Sequence, residues 1–360
     1  MSDTEILPPR ANPTLAGHEA AERDLRRLFE AGRLPHALLI SGPRGIGKAT
    51  LAFRLARFVL TPQTGSLFGD APAAGEGRGG EGLWTDPESG AFRRVAAGGH
   101  ADVLTVERAF DPRRKRLRSE IVVADTREIG NFLHLTPAEG GWRVVIVDGA
   151  DAMNRNAANA LLKILEEPPR QTLLLLVAHS AGRLLPTIRS RCRRFPLSPL
   201  PSKTVRELLA RHRPDLAPAD ADAIVALSGG SIGAALDLVE AGGVELYRAA
   251  LGLIRPARDL DIAALHTFAD KLARPDAEDA YRVVEDLLAQ FLARLAVATA
   301  RGDTLPGAEG EAAGRVRAPA ARWAGLRDEI ADRFARTDGL NLDRKQAILG
   351  TFFAIGEAAG

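Results

Sequence analysis

The stretch SGPRGIGKAT at residues 41–50 constrains this chain more than any other. It follows a short apolar run, HALLISG at 36–42, and opens KATLAFRLARFVL at 48–60, where Leu51, Leu55, Phe58 and Val59 recur at helical spacing. Buried strand, glycine-rich turn and helix is the setting in which a phosphate-binding loop works, because backbone N–H groups and a helix N-terminus then face the phosphates. Gly42, Pro43, Gly45 and Gly47 make the turn, and Lys48 is placed to reach the outer phosphates. The next position ordinarily supplies a hydroxyl to magnesium. Here it is Ala49, and Thr50 comes one residue late on the helix.

The pattern around this loop predicts an α/β sheet with parallel strands. A leading helix is expected within residues 13–35, with Leu25, Leu28 and Phe29 on one face. DVLTVE (102–107), WRVVIVDGAD (142–151) and QTLLLLVAHS (171–180) read as strands, while VADTREIGNFLHLTP (123–137) and NAANALLKILEEPP (156–169) read as helices. Pro137 ends the first of these helices, and Pro168 and Pro169 end the second. Residues 61–101, rich in glycine, alanine and charge, are expected as an exposed insertion. Beyond SRCRRFPLSPL (190–200) only helical periodicity remains, and the glycines of EAGG (240–243) suggest a hinge. The expected layout is a P-loop α/β domain over 1–199, a small helical lid over 200–243, and an all-α domain over 244–360.

Bulk properties narrow the function classes. The chain has 360 residues, a formal net charge of +2 and 26% charged residues, so nucleic-acid contact requires a local patch. Its single cysteine, Cys192, excludes a disulfide framework. The acidic start MSDTEILPPR lacks the apolar core of a secretion signal, and TLLLLVA at 172–178 is too short to cross a bilayer. A cytoplasmic location is expected. The basic run DPRRKRLRSE (111–120) carries Arg113, Arg114, Lys115, Arg116 and Arg118 without aromatic residues, which favours a solvated hairpin or loop over a DNA-binding module.

VVIVDGAD ends a strand on Asp148, the place of the magnesium-side acid in P-loop NTPases. A hydrolytic site needs a second acid to polarise water, but the next residue is Gly149, and Asp151 lies three positions along.

NALLKILEEPP (159–169), LLPTIRSRCRRF (184–195), the P-loop segment and GLNLDRKQAILGTFF (339–353) together resemble bacterial clamp-loader subunits of the AAA+ class. The resemblance covers nearly the whole chain apart from 61–101. It implies that Arg191, in SRC, serves in trans as an arginine finger on a neighbouring subunit's ATP, where a permanently charged guanidinium stabilises developing charge. It implies a C-terminal collar that holds a ring of subunits together. The stripe Val284, Leu287, Leu288, Phe291 and Leu295 there is explained by core packing.

This chain departs from the motors of that family at four places: Ala49, Gly149, Ala234 at the lid arginine, and Ala178-His179-Ser180 where the motors carry a sensor threonine. These departures suggest a non-motor subunit without ATPase of its own, and the resemblance implies a component of the DNA polymerase III holoenzyme. ATP or ADP, if held, is held weakly or without catalysis. The implied partners are the gamma/tau motor subunits, the delta subunit, the sliding clamp and, through the assembly, primed DNA. The four-cysteine zinc module common in such subunits is impossible between 61 and 101, and His100 is expected at the surface. The rival expectation is an active ATP-hydrolysing motor, with Thr50 or water replacing the magnesium ligand and Asp151 the second acid.

Overall fold

The computed structural model describes residues 6–61, 82–111, 116–139, 141–255, 260–314 and 318–358. They divide into two compact units, one of residues 1–214 with 230–233 and one of 215–229 with 234–360.

In the first unit, chain order runs α1 (Glu19–Glu30), β1 (Ala37–Ser41), α2 (Lys48–Leu60), α3 (Gly90–Ala96), β2 (Val103–Val106), β3 (Phe110–Asp111), β4 (Arg116–Leu117), α4 (Val123–His134), β5 (Arg143–Asp148), α5 (Arg155–Glu166), β6 (Thr172–Ala178), α6 (Pro186–Arg191), β7 (Arg193–Pro196) and α7 (Ser202–His212). Five strands form one sheet in the order β2-β5-β6-β1-β7, and every pairing in it is parallel. The P-loop strand β1 therefore lies beside β6, with β5 one strand further out.

Both faces of the sheet are buried, which explains why its strands read as continuous apolar runs. Strand alternation sends Leu38, Ile40, Val144, Ile146, Leu173, Leu175 and Val177 to the core shared with α2. Ala37, Leu39, Val145, Val147, Leu174, Leu176 and Ala178 go to the other, shared with α4, α5 and α6. Helix starts are fixed locally: the Asn154 side chain accepts from Ala157 N–H at 3.0 Å, and Asp125 accepts from Val122 N–H at 2.8 Å.

A buried ion pair ties the leading segment to α2. Arg54 meets Glu22 at 2.5 Å, with each side chain 7% exposed. Arg57, one helical turn on, donates to Arg10 O at 2.8 Å and Asn12 O at 2.7 Å. The chain before α1 is thereby strapped along α2.

The structure departs from the sequence expectations in three places. The expected insertion at 61–101 is not all exposed: residues 62–81 lie outside the described residues, but Leu83 and Val95 join the core beside α2, and Phe92 and Val95 of α3 are buried. His100, expected at the surface, is 4% exposed; its Nδ1 accepts from Asp102 N–H at 3.1 Å. Local glycine content hid this because burial there comes from contacts distant in sequence. The strand β7 was not anticipated, since its exposed Arg193 and Arg194 mask the pattern; backbone pairing with β1 makes it an edge strand. The basic run does form a hairpin, with Phe110 opposite Leu117, though residues 112–115 lie outside the described set.

The second unit holds α8 (Pro218–Leu227), α9 (Ile232–Glu240, most of its length), α10 (Gly243–Ile254), α11 (Ile262–Leu272), α12 (Glu278–Arg301), α13 (Gly307–Ala313), α14 (Ala320–Leu340) and α15 (Arg344–Ala358). The expected stripe on α12 is buried, and Tyr281 of α12 packs on Phe334 of α14 with ring centroids 5.1 Å apart. EAGG separates α9 from α10 within this unit.

Glu22→Ala would leave the Arg54 guanidinium buried without its carboxylate, and a destabilisation of about 3–5 kcal/mol is expected by urea unfolding. A change below about 1 kcal/mol would show that the strap does not depend on this pair.

Candidate functional site

The loop between β1 and α2 is held from outside through its carbonyls. Ser231 Oγ donates to Arg44 O at 2.8 Å, Gly233 N–H to Gly45 O at 3.0 Å, and His18 Nε2–H to Ile46 O at 2.8 Å. In a trans peptide the N–H points opposite to the preceding carbonyl. The N–H groups of Gly45, Ile46 and Gly47 are therefore turned the other way, as an anion cradle requires. Gly47 has φ +100° and stands immediately before α2 in left-handed backbone, open to glycine at little cost. Gly45, at φ +74°, faces Gly233: a Cβ on Gly45 would come within 2.9 Å of the Gly233 Cα.

The side chains fit less well than the backbone. Lys48 is buried, and its ammonium donates to Pro43 O at 2.5 Å. Burial pushes its pKa down to about 8, with Asp148 and Asp151 pulling upward and Arg44 downward. Asp148 ends β5, as expected, and burial raises its carboxyl pKa, reinforced by Glu107 and opposed by Lys48. Lys48 and Asp148 are thus electrostatic neighbours. Thr50 is buried within α2 at 8% exposure and Ala49 carries no hydroxyl. The N–H groups left facing away from the anchored carbonyls are those of Gly45, Ile46 and Gly47; Gly42 N–H donates to Ala178 O at 3.3 Å, and Pro43 has no N–H to offer. Among the described residues no group of three or more His, Cys, Asp or Glu is placed to hold a metal ion.

Asp151 has another occupation. One carboxylate oxygen accepts from His179 N–H at 3.0 Å and the other from Ser180 N–H at 2.9 Å. It pins the chain leaving β6, beside the site. The sequence suggested Asp151 only as the rival's second acid; its bond to the segment after β6 joins residues 28 and 29 apart, invisible to local pattern. His179 is held toward its neutral form by burial and by Lys48, with Asp151 opposing.

Arg191 ends α6, away from this loop in sequence and element. Its Nη1 donates to Thr187 O at 3.0 Å, and its Nη2 meets Glu166 Oε1 at 2.7 Å, with the guanidinium-bearing side chain 36% exposed. Cys192 beside it is buried and its thiol pKa is pushed up to about 11, so it anchors rather than reacts.

If burial sets the Lys48 pKa, the unfolded chain holds this proton above pH 8, where the folded chain has begun to release it. The unfolded state then binds more protons, so the contribution of Lys48 to stability rises between about pH 8 and about pH 10.5. Lys48→Met removes that rise. The difference in urea midpoint between variant and parent is expected to change from about pH 7.5 to about pH 9.5 in the parent's favour. A difference independent of pH would mean that the ammonium is not strained by burial.

Residues 17–201 match the family described as DNA polymerase III, delta subunit. Over 200 residues the chain is 43% identical to the DNA polymerase III subunit delta-prime of Pseudomonas aeruginosa, covering 54% of this chain and 53% of that protein. It is 34% identical over 215 residues to the delta-prime subunit of Escherichia coli, covering 59% and 57%. With the DNA polymerase III subunit gamma/tau of Mycobacterium bovis it shares 32% over 294 residues, covering 78% of this chain and 46% of the other. The chain spans about half the length of the curated relatives it matches. With a family match over residues 17–201 and its five-stranded parallel sheet, the chain belongs to the family described as DNA polymerase III, delta subunit.

Proposed function

We propose that this chain is a non-motor subunit of the clamp loader, one that lends chemistry to a neighbour and runs none of its own. The observation that carries this is the occupation of Asp151: each of its oxygens accepts a backbone N–H, so the acid that the sequence offers in place of Gly149 for polarising water already has a structural task. Ala49 removes the magnesium hydroxyl. The loop retains a phosphate cradle, and ATP or ADP would be held without turnover by Gly42, Pro43, Gly45, Gly47, Lys48, Thr50 and Asp148. In the same proposal residues 1–199 are the P-loop domain, 200–243 the lid and 244–360 the collar. The partners are gamma/tau motors, delta and the sliding clamp, acting on primed DNA in the cytoplasm.

Arg191 supplies the arginine finger in trans. Its position supports this: it is exposed enough for a neighbouring triphosphate to reach, while Ile188 and Cys192 on either side are buried and fix its backbone. Fingers of this type contribute about 10³–10⁵ in rate at the site they complete.

Arg191→Ala is expected to lower ATP turnover by the reconstituted loader while leaving assembly intact; unchanged turnover in an assembled mutant would remove the finger role. The purified chain alone is expected to show no Mg–ATP turnover, with or without primed DNA. Turnover abolished by Lys48→Ala would establish the motor reading instead.

A further inference from the structure

We infer that Glu166 is the positioning residue for Arg191, setting the direction of its guanidinium before a neighbouring subunit's nucleotide arrives; this rests on the finger role proposed above. Glu166 is the last residue of α5, and Pro168 and Pro169 follow closely. A carboxylate at the C-terminal end of a helix faces the negative pole of the helix's own dipole, so the site is unfavourable for it unless a cation stands opposite. Arg191 of α6 stands there at 2.7 Å.

The guanidinium is held twice. Nη2 is fixed by Glu166 and Nη1 by Thr187 O at 3.0 Å, so its plane is set by two different helices. One contact alone would leave the long side chain free to swing. Both helices are themselves seated by apolar packing: Leu161 and Leu165 of α5 and Ile188 of α6 share one core with Cys192. The pair is also yielding. Glu166 is 49% exposed and Arg191 36%, and an ion pair so open to water is weak enough for a polyphosphate to displace or share. It orients without trapping.

Glu167 is a natural comparison. It leaves the helix at φ −129° and ψ 67°, so its side chain departs along another direction, and the carboxylate paired with Arg191 is that of Glu166.

The experiment measures steady-state kcat and KM for ATP in the loader reconstituted with gamma/tau, delta and this chain. Glu166→Ala is expected to lower kcat about two- to five-fold with KM unchanged, equivalent to about 0.4–1 kcal/mol at ~1.36 kcal/mol per tenfold. Glu166→Gln, which keeps a hydrogen-bond acceptor, is expected to recover part of the loss. Glu167→Gln is expected to match the parent. Glu166→Ala combined with Arg191→Ala is expected to equal Arg191→Ala alone, because a residue that acts through Arg191 has nothing left to position. Higher turnover in Glu166→Ala would make the pair a restraint and overturn the inference. So would unchanged turnover, or a further loss on top of Arg191→Ala. If Arg191→Ala itself leaves turnover unchanged, the finger role fails first and the positioning role with it.

Discussion

The pairing of β1 between β6 and β7 is the constraint on which the rest of the site depends. The P-loop leaves the end of β1, the segment pinned by Asp151 leaves the end of β6, and Arg191 stands two residues before β7 begins. Parallel register fixes these points against one another: Ser41 pairs with both Ala178 and Pro196. In open α/β sheets the strand ends carry the chemistry while the buried faces carry the stability. Here leucine, isoleucine and valine fill both faces, the P-loop and the segment pinned by Asp151 leave the C-terminal ends of β1 and β6, and Arg191, which precedes β7, stands at the opposite, N-terminal end of the strands.

Within this frame the loop is held through its backbone. Its carbonyls are bound by His18, Ser231 and Gly233, three residues from remote parts of the chain, and that outward anchoring is what turns the N–H groups inward. Lys48 settles on Pro43, and burial weakens its hold on a proton. Asp151 holds the backbone after β6 in place. Lys48 and Asp151 thus each hold a backbone group of the site in place.

Much of this was legible beforehand. The strand–loop–helix order around Lys48, the buried strands, the strand-end place of Asp148 and the α12 stripe all follow from short-range periodicity, and each lies where the pattern put it. The misses have one cause. His100 and Phe92 looked like parts of an exposed insertion, and Arg193–Pro196 did not look like a strand, because their burial or pairing is supplied by segments far off in the sequence. Local composition carries no record of such partners.

The sequence by itself determined the element order, the apolar faces, the loss of the hydroxyl at Ala49 and the identity of the exposed arginine in SRC, since all are properties of residue type and spacing. Only the tertiary structure decided that Asp151 is occupied by the backbone of His179 and Ser180, that Gly45 must accommodate Gly233, and that Glu166 rather than Glu167 meets Arg191. These are relations between atoms brought within about 3 Å by packing the sheet and helices together. Hydrogen bonds and ion pairs act only at that range, so the covalent order of the chain states which groups are present but not which of them are already taken.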